Sequence, residues 1–248
     1  MQKKESQKKE SQQKVAQNVE QLDKNVRTIS AMFDSIAPVY DKLNTILSFG
    51  VDRRWRKRLL KNVKATSAQK VLDLACGSGD VSIALHRAGL DVTGGDISEG
   101  MLQIARKKSP EDIRYLYANA ADLPFEDATF DCITISFGIR NFDQLDTCVK
   151  ELFRVLKPGG TIQILEFGIP RNPIWRGLYT FYFRHILPLI GRCLSGDKGA
   201  YTYLPESSFA FPYGDDFCKI LVKGGFKAVS NRSMTGGIAY LYNGVKSI

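Results

Sequence analysis

QKVLDLACGSGD, residues 69–80, opens as a short apolar run and closes on two glycines set one residue apart. Val71, Leu72 and Leu74 suit a buried strand. Gly77 and Gly79 let the backbone turn sharply and come close to a ligand at the strand's carboxyl end. From Asp80 to Ala88 the pattern predicts a helix. The same unit repeats outward: LDVTGGDIS (90–98) reads as a second strand, followed by a helix through Lys108 that Pro110 stops. RYLYANA (114–120) and FDCITISFG (130–138) read as strands three and four, and a helix covers Leu145 to Leu156. Lys157-Pro-Gly-Gly160 then turns into strand five, TIQILEF (161–167). Regular strand–helix alternation with short turns predicts a doubly wound α/β fold, a parallel sheet covered on both faces.

Both flanks depart from this rhythm. Residues 174–194 are rich in aromatic and aliphatic side chains but interrupted by Arg176, Arg184 and Arg192, which predicts an inserted helix pair. No run of 18 apolar residues exists, so no transmembrane span is expected. FKAVSNRSM (226–234) and IAYLYNGVKS (238–247) read as two strands joined by a Gly236-Gly237 turn, an antiparallel hairpin at the sheet edge that brings the strands to seven. Upstream, Val15, Val19, Leu22, Val26, Ile29 and Phe33 form one apolar helical stripe, read as a lid docked on the main domain. The pentamer QKKES occurs at 2–6 and again at 7–11, in a stretch too poor in apolar side chains to repay its ordering. The chain therefore divides into a disordered basic tail (1–14), an N-terminal helical lid (15–64) and a main domain (65–248) with a helical cap inserted at about 170–204.

Residues 1–64 hold 15 Lys/Arg against seven Asp/Glu, whereas the rest of the chain holds 20 against 19. The basic character thus belongs to the front end, with Arg53, Arg54, Arg56, Lys57 and Arg58 clustered around Trp55. Such a patch suits a solvated helix face or an anionic lipid surface. The front end lacks the apolar core of a secretory signal, and a cytoplasmic protein is expected. Five scattered cysteines, no CxxC pair and two histidines argue against a metal cluster or a disulfide framework. No metal is expected.

The residues at the strand tips point to a particular ligand. The dinucleotide fingerprint wants a third glycine where Ser82 stands. Asp73, four residues before Gly77, suits the cationic end of a sulfonium cofactor. Asp96 closes strand two, where a carboxylate can accept hydrogen bonds from both ribose hydroxyls. Asn119 and Ala120 close strand three; the amide suits an adenine edge, and Leu123-Pro-Phe125 offers apolar walls. Together with Gly77, Ser78 and Gly79 these favour S-adenosylmethionine. Each also has a plainer reading: a turn-stabilising carboxylate for Asp73, a helix cap for Asp96, a turn residue for Asn119.

With these residues in place the chain resembles the C-methyltransferases of menaquinone and ubiquinone biosynthesis, the UbiE/MenG family, over about residues 30–247. One signature looks like Tyr40-Asp41-Lys-Leu-Asn44-Thr-Ile-Leu-Ser48 continuing to Trp55, and a second like Arg154-Val-Leu-Lys-Pro-Gly-Gly160 through Leu165-Glu166. Between them stand DLACGSGD, the NAADLPF stretch and Ser136-Phe-Gly-Ile-Arg140-Asn141. The first signature usually has His where Asp52 stands, the second usually has Ser where Gly168 stands, and Thr is frequent where Ser78 sits. The resemblance implies a class I SAM-methyltransferase fold, Rossmann-like, with N-terminal helices and an inserted helical cap. It implies cofactor contacts at Ser78, Asp96, Asn119, Ala120 and Ser136, and substrate-side residues near Tyr40, Arg140 and Asn141.

The implied reaction moves a methyl group to a ring carbon of a polyprenylated quinol, with demethylmenaquinol favoured over the ubiquinone precursor. Arginine does not deprotonate in proteins, so Arg140 is expected to stabilise a developing phenolate, or else to be a plain ion-pair residue, while Asn141 orients the ring. A water, with Tyr40 or Asp41, would take the proton. The 174–194 segment and the lid would form a greasy groove, or simply pack as a cap, and the protein would touch the inner membrane face peripherally. A homodimer is left open. A nucleic-acid methyltransferase is disfavoured because the Asn/Asp-Pro-Pro-aromatic motif is missing, so no nucleic-acid partner is expected. Methylation of another small molecule and a non-enzymatic cofactor-binding role are the remaining alternatives.

Overall fold

The computed structural model describes residues 24–195 and 200–247. The repeated tail, the Val15, Val19 and Leu22 part of the apolar stripe and the side chain of Cys193 lie outside the described residues.

Three helices open the described chain: α1 (Val26–Ile36), α2 (Tyr40–Leu47) and α3 (Val51–Lys64). Then come β1 (Lys70–Leu74), α4 (Asp80–His86), β2 (Asp91–Asp96), α5 (Glu99–Lys108), β3 (Arg114–Tyr117), β4 (Phe130–Ser136), α6 (Leu145–Val155) and β5 (Leu156–Phe167). The cap comprises α7 (Pro173–Phe181), a π-turn at Tyr182–Ile186, α8 (Leu187–Ser195) and α9 (Ala200–Ala210). The chain ends with α10 (Asp215–Lys223), β6 (Lys227–Met234) and β7 (Ala239–Val245).

The seven strands form one sheet in the order β3-β2-β1-β4-β5-β7-β6. β1 to β5 pair in parallel, and β7 runs antiparallel to both β5 and β6. Alternation along β1 sends neighbours to opposite faces. Leu72 and Leu74 join a core with Val149 and Leu152 of α6 and Phe217 and Leu221 of α10. Val71 joins a second core with Trp55 and Leu59 of α3, Leu85 of α4 and Leu102 of α5. Helices thus cover both faces, which is why β1 and β4 read as nearly unbroken apolar runs.

Three details differ from the sequence reading. The Lys157–Gly160 turn interrupts β5 and does not precede it: Phe130 pairs with Leu156, and the ladder resumes at Cys132 and Thr161. The hairpin turn is longer than Gly236-Gly237, because Met234 pairs with Ala239 and residues 235–238 bridge them. Thr235 is held there by Trp55 Nε1, which donates to its Oγ1 at 2.9 Å, and by Trp175 Nε1, which donates to its carbonyl at 3.2 Å. These bonds draw the turn towards α3 and α7. The cap also continues past residue 204, through α9 to Ala210. Its first helical run is a single stretch bent by the π-turn, a local widening that often marks a functional site.

Candidate active site

The tips of β1 and β4 end in strained backbone. Ala75 (φ 53°) and Phe137 (φ 61°) occupy the left-handed region although neither is glycine, and Gly77 (φ 54°) and Gly79 (φ 84°) follow Ala75. A side chain on Gly79 would meet the Tyr115 hydroxyl at 2.5 Å. Non-glycine residues in this region cost roughly 1 kcal/mol each, and they gather at ligand sites. Here they border a small crevice lined by Gly77, Asp96, Asn119, Ala120, Ser136 and Asn141, and covered by Val26, Ile29, Phe33 and Tyr40.

Asp96 organises this crevice. Its Oδ2 accepts the Gly77 N–H at 2.8 Å and its Oδ1 the Ser98 N–H at 2.9 Å. Each carboxylate oxygen keeps an acceptor site for a sugar hydroxyl. Burial raises its pKa against the pull of those N–H groups. The Asn119 side-chain Oδ1 is taken by the Ala121 N–H at 3.1 Å, which leaves its Nδ2 for a base. Ser136 Oγ and Asn141 Oδ1 are buried without a partner. Unpaired buried polar atoms in a crevice call for a polar ligand. These residues fit an adenosyl group.

Three expected cofactor residues stand outside the crevice lining. Asp73 is buried beneath it, accepting from Ser82 Oγ at 2.6 Å and Thr134 Oγ1 at 2.8 Å. Burial raises its pKa to about 6 in spite of those hydroxyls. Gly79 is the turn before α4. Ser78 donates to Asp41, and Lys108 Nζ reaches Asp41 at 2.7 Å, Ser78 at 3.1 Å and Asp80 at 2.7 Å. Arg56 adds a 2.6 Å contact to Asp80. This network clamps α2 and α3 to the glycine loop.

α1 is fastened to the next loop. Ser30 Oγ donates to the Ile97 carbonyl at 2.9 Å, and Asp34 Oδ1 accepts from Ser98 Oγ at 2.6 Å and the Gly100 N–H at 2.9 Å. Asp34 thus serves as an extra cap on α5. Of the apolar stripe, Val26, Ile29 and Phe33 face the crevice.

A second, larger cavity of about 410 Å³ adjoins the crevice. Phe33, Tyr40 and Phe137 line both, so they form the wall between them. The larger cavity is mostly apolar, walled by Met32, Leu47, Trp55, Phe167, Leu178 and Phe183 among others. Its polar lining includes Tyr40, Asn44, Ser48, Asp52, Arg56, Arg140 and Tyr179. Asn141, expected on the substrate side, lines the crevice instead.

Arg140 is buried, with Nη1 2.9 Å from Glu166 Oε1 and donating also to the Phe137 carbonyl. Its guanidinium lies 5.4 Å from the Phe167 ring centroid, and its Nε has no partner. The Tyr179 hydroxyl is likewise buried and unpartnered. Burial raises the Tyr40 hydroxyl above its ordinary value, with Asn44 and the charges of Arg56 and Arg140 pulling the other way. Sequence reasoning missed Tyr179, which it counted as one more aromatic of the cap, and Glu166. A carboxylate inside the apolar run TIQILEF was the available signal, since buried charges need a partner.

Among the described residues no group of His, Cys, Asp or Glu could hold a metal, and no helix is long and apolar enough to cross a membrane.

Residues 19–246 match the model of the ubiE/COQ5 methyltransferase family. The chain is 42% identical over 227 residues to the demethylmenaquinone methyltransferase of Streptomyces avermitilis, covering 92% of this chain and 98% of that one. It is 43% identical to the ubiquinone/menaquinone biosynthesis C-methyltransferase UbiE of Geobacter sulfurreducens, over 89% of each. Among solved structures, a SAM-dependent methyltransferase from Thermotoga maritima superposes with a TM-score of 0.63 at 19% identity, over 88% of this chain and 99% of that one.

Proposed function

Since the chain belongs to the ubiE/COQ5 methyltransferase family, we propose that it methylates a ring carbon of demethylmenaquinol to give menaquinol. It is a SAM-dependent C-methyltransferase of quinone biosynthesis. The observation that carries the acceptor assignment is the pair of adjoining compartments: a polar crevice fit for an adenosyl group, and an apolar cavity of about 410 Å³ behind Phe33, Tyr40 and Phe137. That volume lies within the usual range for a small-molecule site.

When bound, the cofactor would supply an electrophilic methyl group. The chain's own residues do the rest. Asp96, Asn119 and Ser136 hold the adenosyl group. Tyr40 and Phe137 set the approach of the two reactants, and holding them in line removes much of the entropy barrier. Arg140 supplies positive charge where the ring oxygen gains negative charge, and the Tyr179 hydroxyl gives that oxygen a donor. Covering the sites with α1 and the cap excludes water.

The prenyl tail would leave through the cavity mouth. Phe49 (78% exposed) and Leu178 (59%) line it, and Ile174, Phe181 and Leu189 are exposed on the same cap. Exposed Arg53 and Arg54 lie on neighbouring α3. This combination supports peripheral contact with an anionic lipid surface from the cytoplasmic side.

Mass spectrometry of quinones from cells lacking the protein tests the assignment. Accumulated demethylmenaquinone is the expected result. An unchanged quinone profile, with no turnover of demethylmenaquinol by purified protein, would overturn it.

A further inference from the structure

Resting on that reading, we propose that Asp52 is the proton acceptor for the quinol hydroxyl. The reaction needs a base in the larger cavity, and Asp52 is the one carboxylate among the described residues that lines it. Its side chain is 8% exposed. Oδ1 accepts from Ser48 Oγ at 2.7 Å, which fixes the carboxylate. Oδ2 stands 3.8 Å from Arg56 Nη2, beyond hydrogen-bond length, because Arg56 spends its close contact on Asp80 at 2.6 Å. One carboxylate oxygen is therefore held in place and left available to the acceptor.

The other ionisable groups are poorly suited. Arg56 and Arg140 are cations without an acceptor atom. Burial raises Tyr40, Tyr179 and Tyr182, so each is a protonated phenol at neutral pH. Glu166 is fully buried and tied to Arg140, accepting also the Arg140 N–H at 3.2 Å and the Phe167 N–H at 2.8 Å. Asp41 is committed to Ser78 and Lys108. Asp96 and Asp143 face the crevice on the other side of the aromatic wall.

The atoms balance. Asp52 Oδ2 takes the proton as the ring O–H bond breaks, and the oxygen's electrons move through the ring to the carbon opposite the donor. The carbon–methyl bond forms as the sulfur–methyl bond breaks, with that electron pair staying on sulfur. The ring C–H proton then leaves to water, the ring electrons return, and Asp52 gives its proton back to the oxygen. The net release is one proton to solvent.

The test uses the full chain with demethylmenaquinol and with an acidic nitronaphthol analogue that binds as its anion. Asp52→Asn should lower kcat by about 10²–10⁴-fold with KM and cofactor affinity within about threefold of wild type. Asp52→His should restore turnover, with the acid limb of the kcat profile moved up towards about pH 6.5. Without any methyl donor, calorimetry in two buffers of different ionisation heat should show wild type taking up about one proton per bound naphtholate, and Asp52→Asn taking up none. Normal turnover by Asp52→Asn would overturn the proposal, as would equal proton uptake by both proteins. Should the asparagine variant not fold, absence of proton uptake by wild type overturns it alone. Failure of wild type to methylate demethylmenaquinol would instead sink the acceptor assignment.

Discussion

Glu166 and Arg140 form a fully buried ion pair, 2.9 Å between Oε1 and Nη1, at the junction of β5 and the cavity floor. Removing one member leaves the other charge without a partner, a loss of about 3–5 kcal/mol. Glu166→Gln should therefore shift the urea midpoint down strongly. The double variant Arg140→Met, Glu166→Leu should recover most of the stability and none of the turnover. Urea titration and a turnover assay on the three proteins separate the packing role of Arg140 from its charge role.

Asp96 bonds both the Gly77 and Ser98 amides. Asp96→Ala should weaken adenosylmethionine binding at least tenfold, about 1.4 kcal/mol, because the sugar hydroxyls lose their acceptor and the glycine loop its tether. Isothermal titration calorimetry reads the change directly. An unaltered affinity would place the sugar elsewhere.

Burial holds the Asp73 carboxyl at about 6, above its ordinary value. A raised carboxylate stabilises the fold where it is protonated and loses that contribution as pH rises through the folded value. Stability of the cofactor-free protein should thus fall between about pH 4 and pH 7, by roughly 2–3 kcal/mol at most. Asp73→Asn keeps partners for Ser82 and Thr134 and should flatten this slope in thermal melts. If the buried charge also serves the sulfonium end of the cofactor, the same variant should bind the donor more weakly. Greater stability paired with weaker binding is the expected signature.

Asp80 behaves in the opposite sense. Burial opposes ionisation, but Lys108 and Arg56 outweigh it and hold its pKa below the ordinary value. Its contribution is present above about pH 4 and disappears as pH falls through the depressed value. Asp80 is 42% exposed and Lys108 28%, so solvent screens the pair and each contact is worth about 1 kcal/mol or less. Lys108→Met should leave the melting temperature nearly unchanged while raising hydrogen exchange in α2 and α3, an effect mimicked in wild type by high salt. Equal exchange in both proteins would show that the clamp does not hold the lid.

Phe49→Ser combined with Leu178→Ser should abolish binding to vesicles of phosphatidylglycerol with little effect on a short-tailed quinol. Both side chains are exposed at the cavity mouth, so the fold should survive the change. Vesicle co-sedimentation at low salt, with circular dichroism as a control, checks this. Retained binding would locate the lipid contact elsewhere.

The sheet was legible because β1, β4 and β5 carry apolar runs that end in glycine or a carboxylate, a local pattern. Position is not legible in the sequence where it depends on distant contacts. Gly236-Gly237 looked like a complete two-residue turn, yet Trp55 and Trp175 reach Thr235 from elsewhere in the sequence and lengthen it. Ser78 sits beside the expected ligand in sequence, but Asp41 and Lys108 draw its hydroxyl away. Asn141 follows Arg140 directly, and a tight turn after β4 sends the two into different compartments. Neighbouring letters do not state the direction in which a side chain leaves the backbone.

Phe33 and Tyr40 belong to the N-terminal helices, and they bound both compartments at once. A displacement of that segment large enough to exchange the spent nucleoside must also dismantle one side of the quinol chamber. Where that displacement limits the cycle, steady-state turnover should track the opening of this segment and not the methyl transfer itself. Viscosity-dependent steady-state rates, beside a viscosity-independent first turnover, are the kinetic trace such a shared partition leaves.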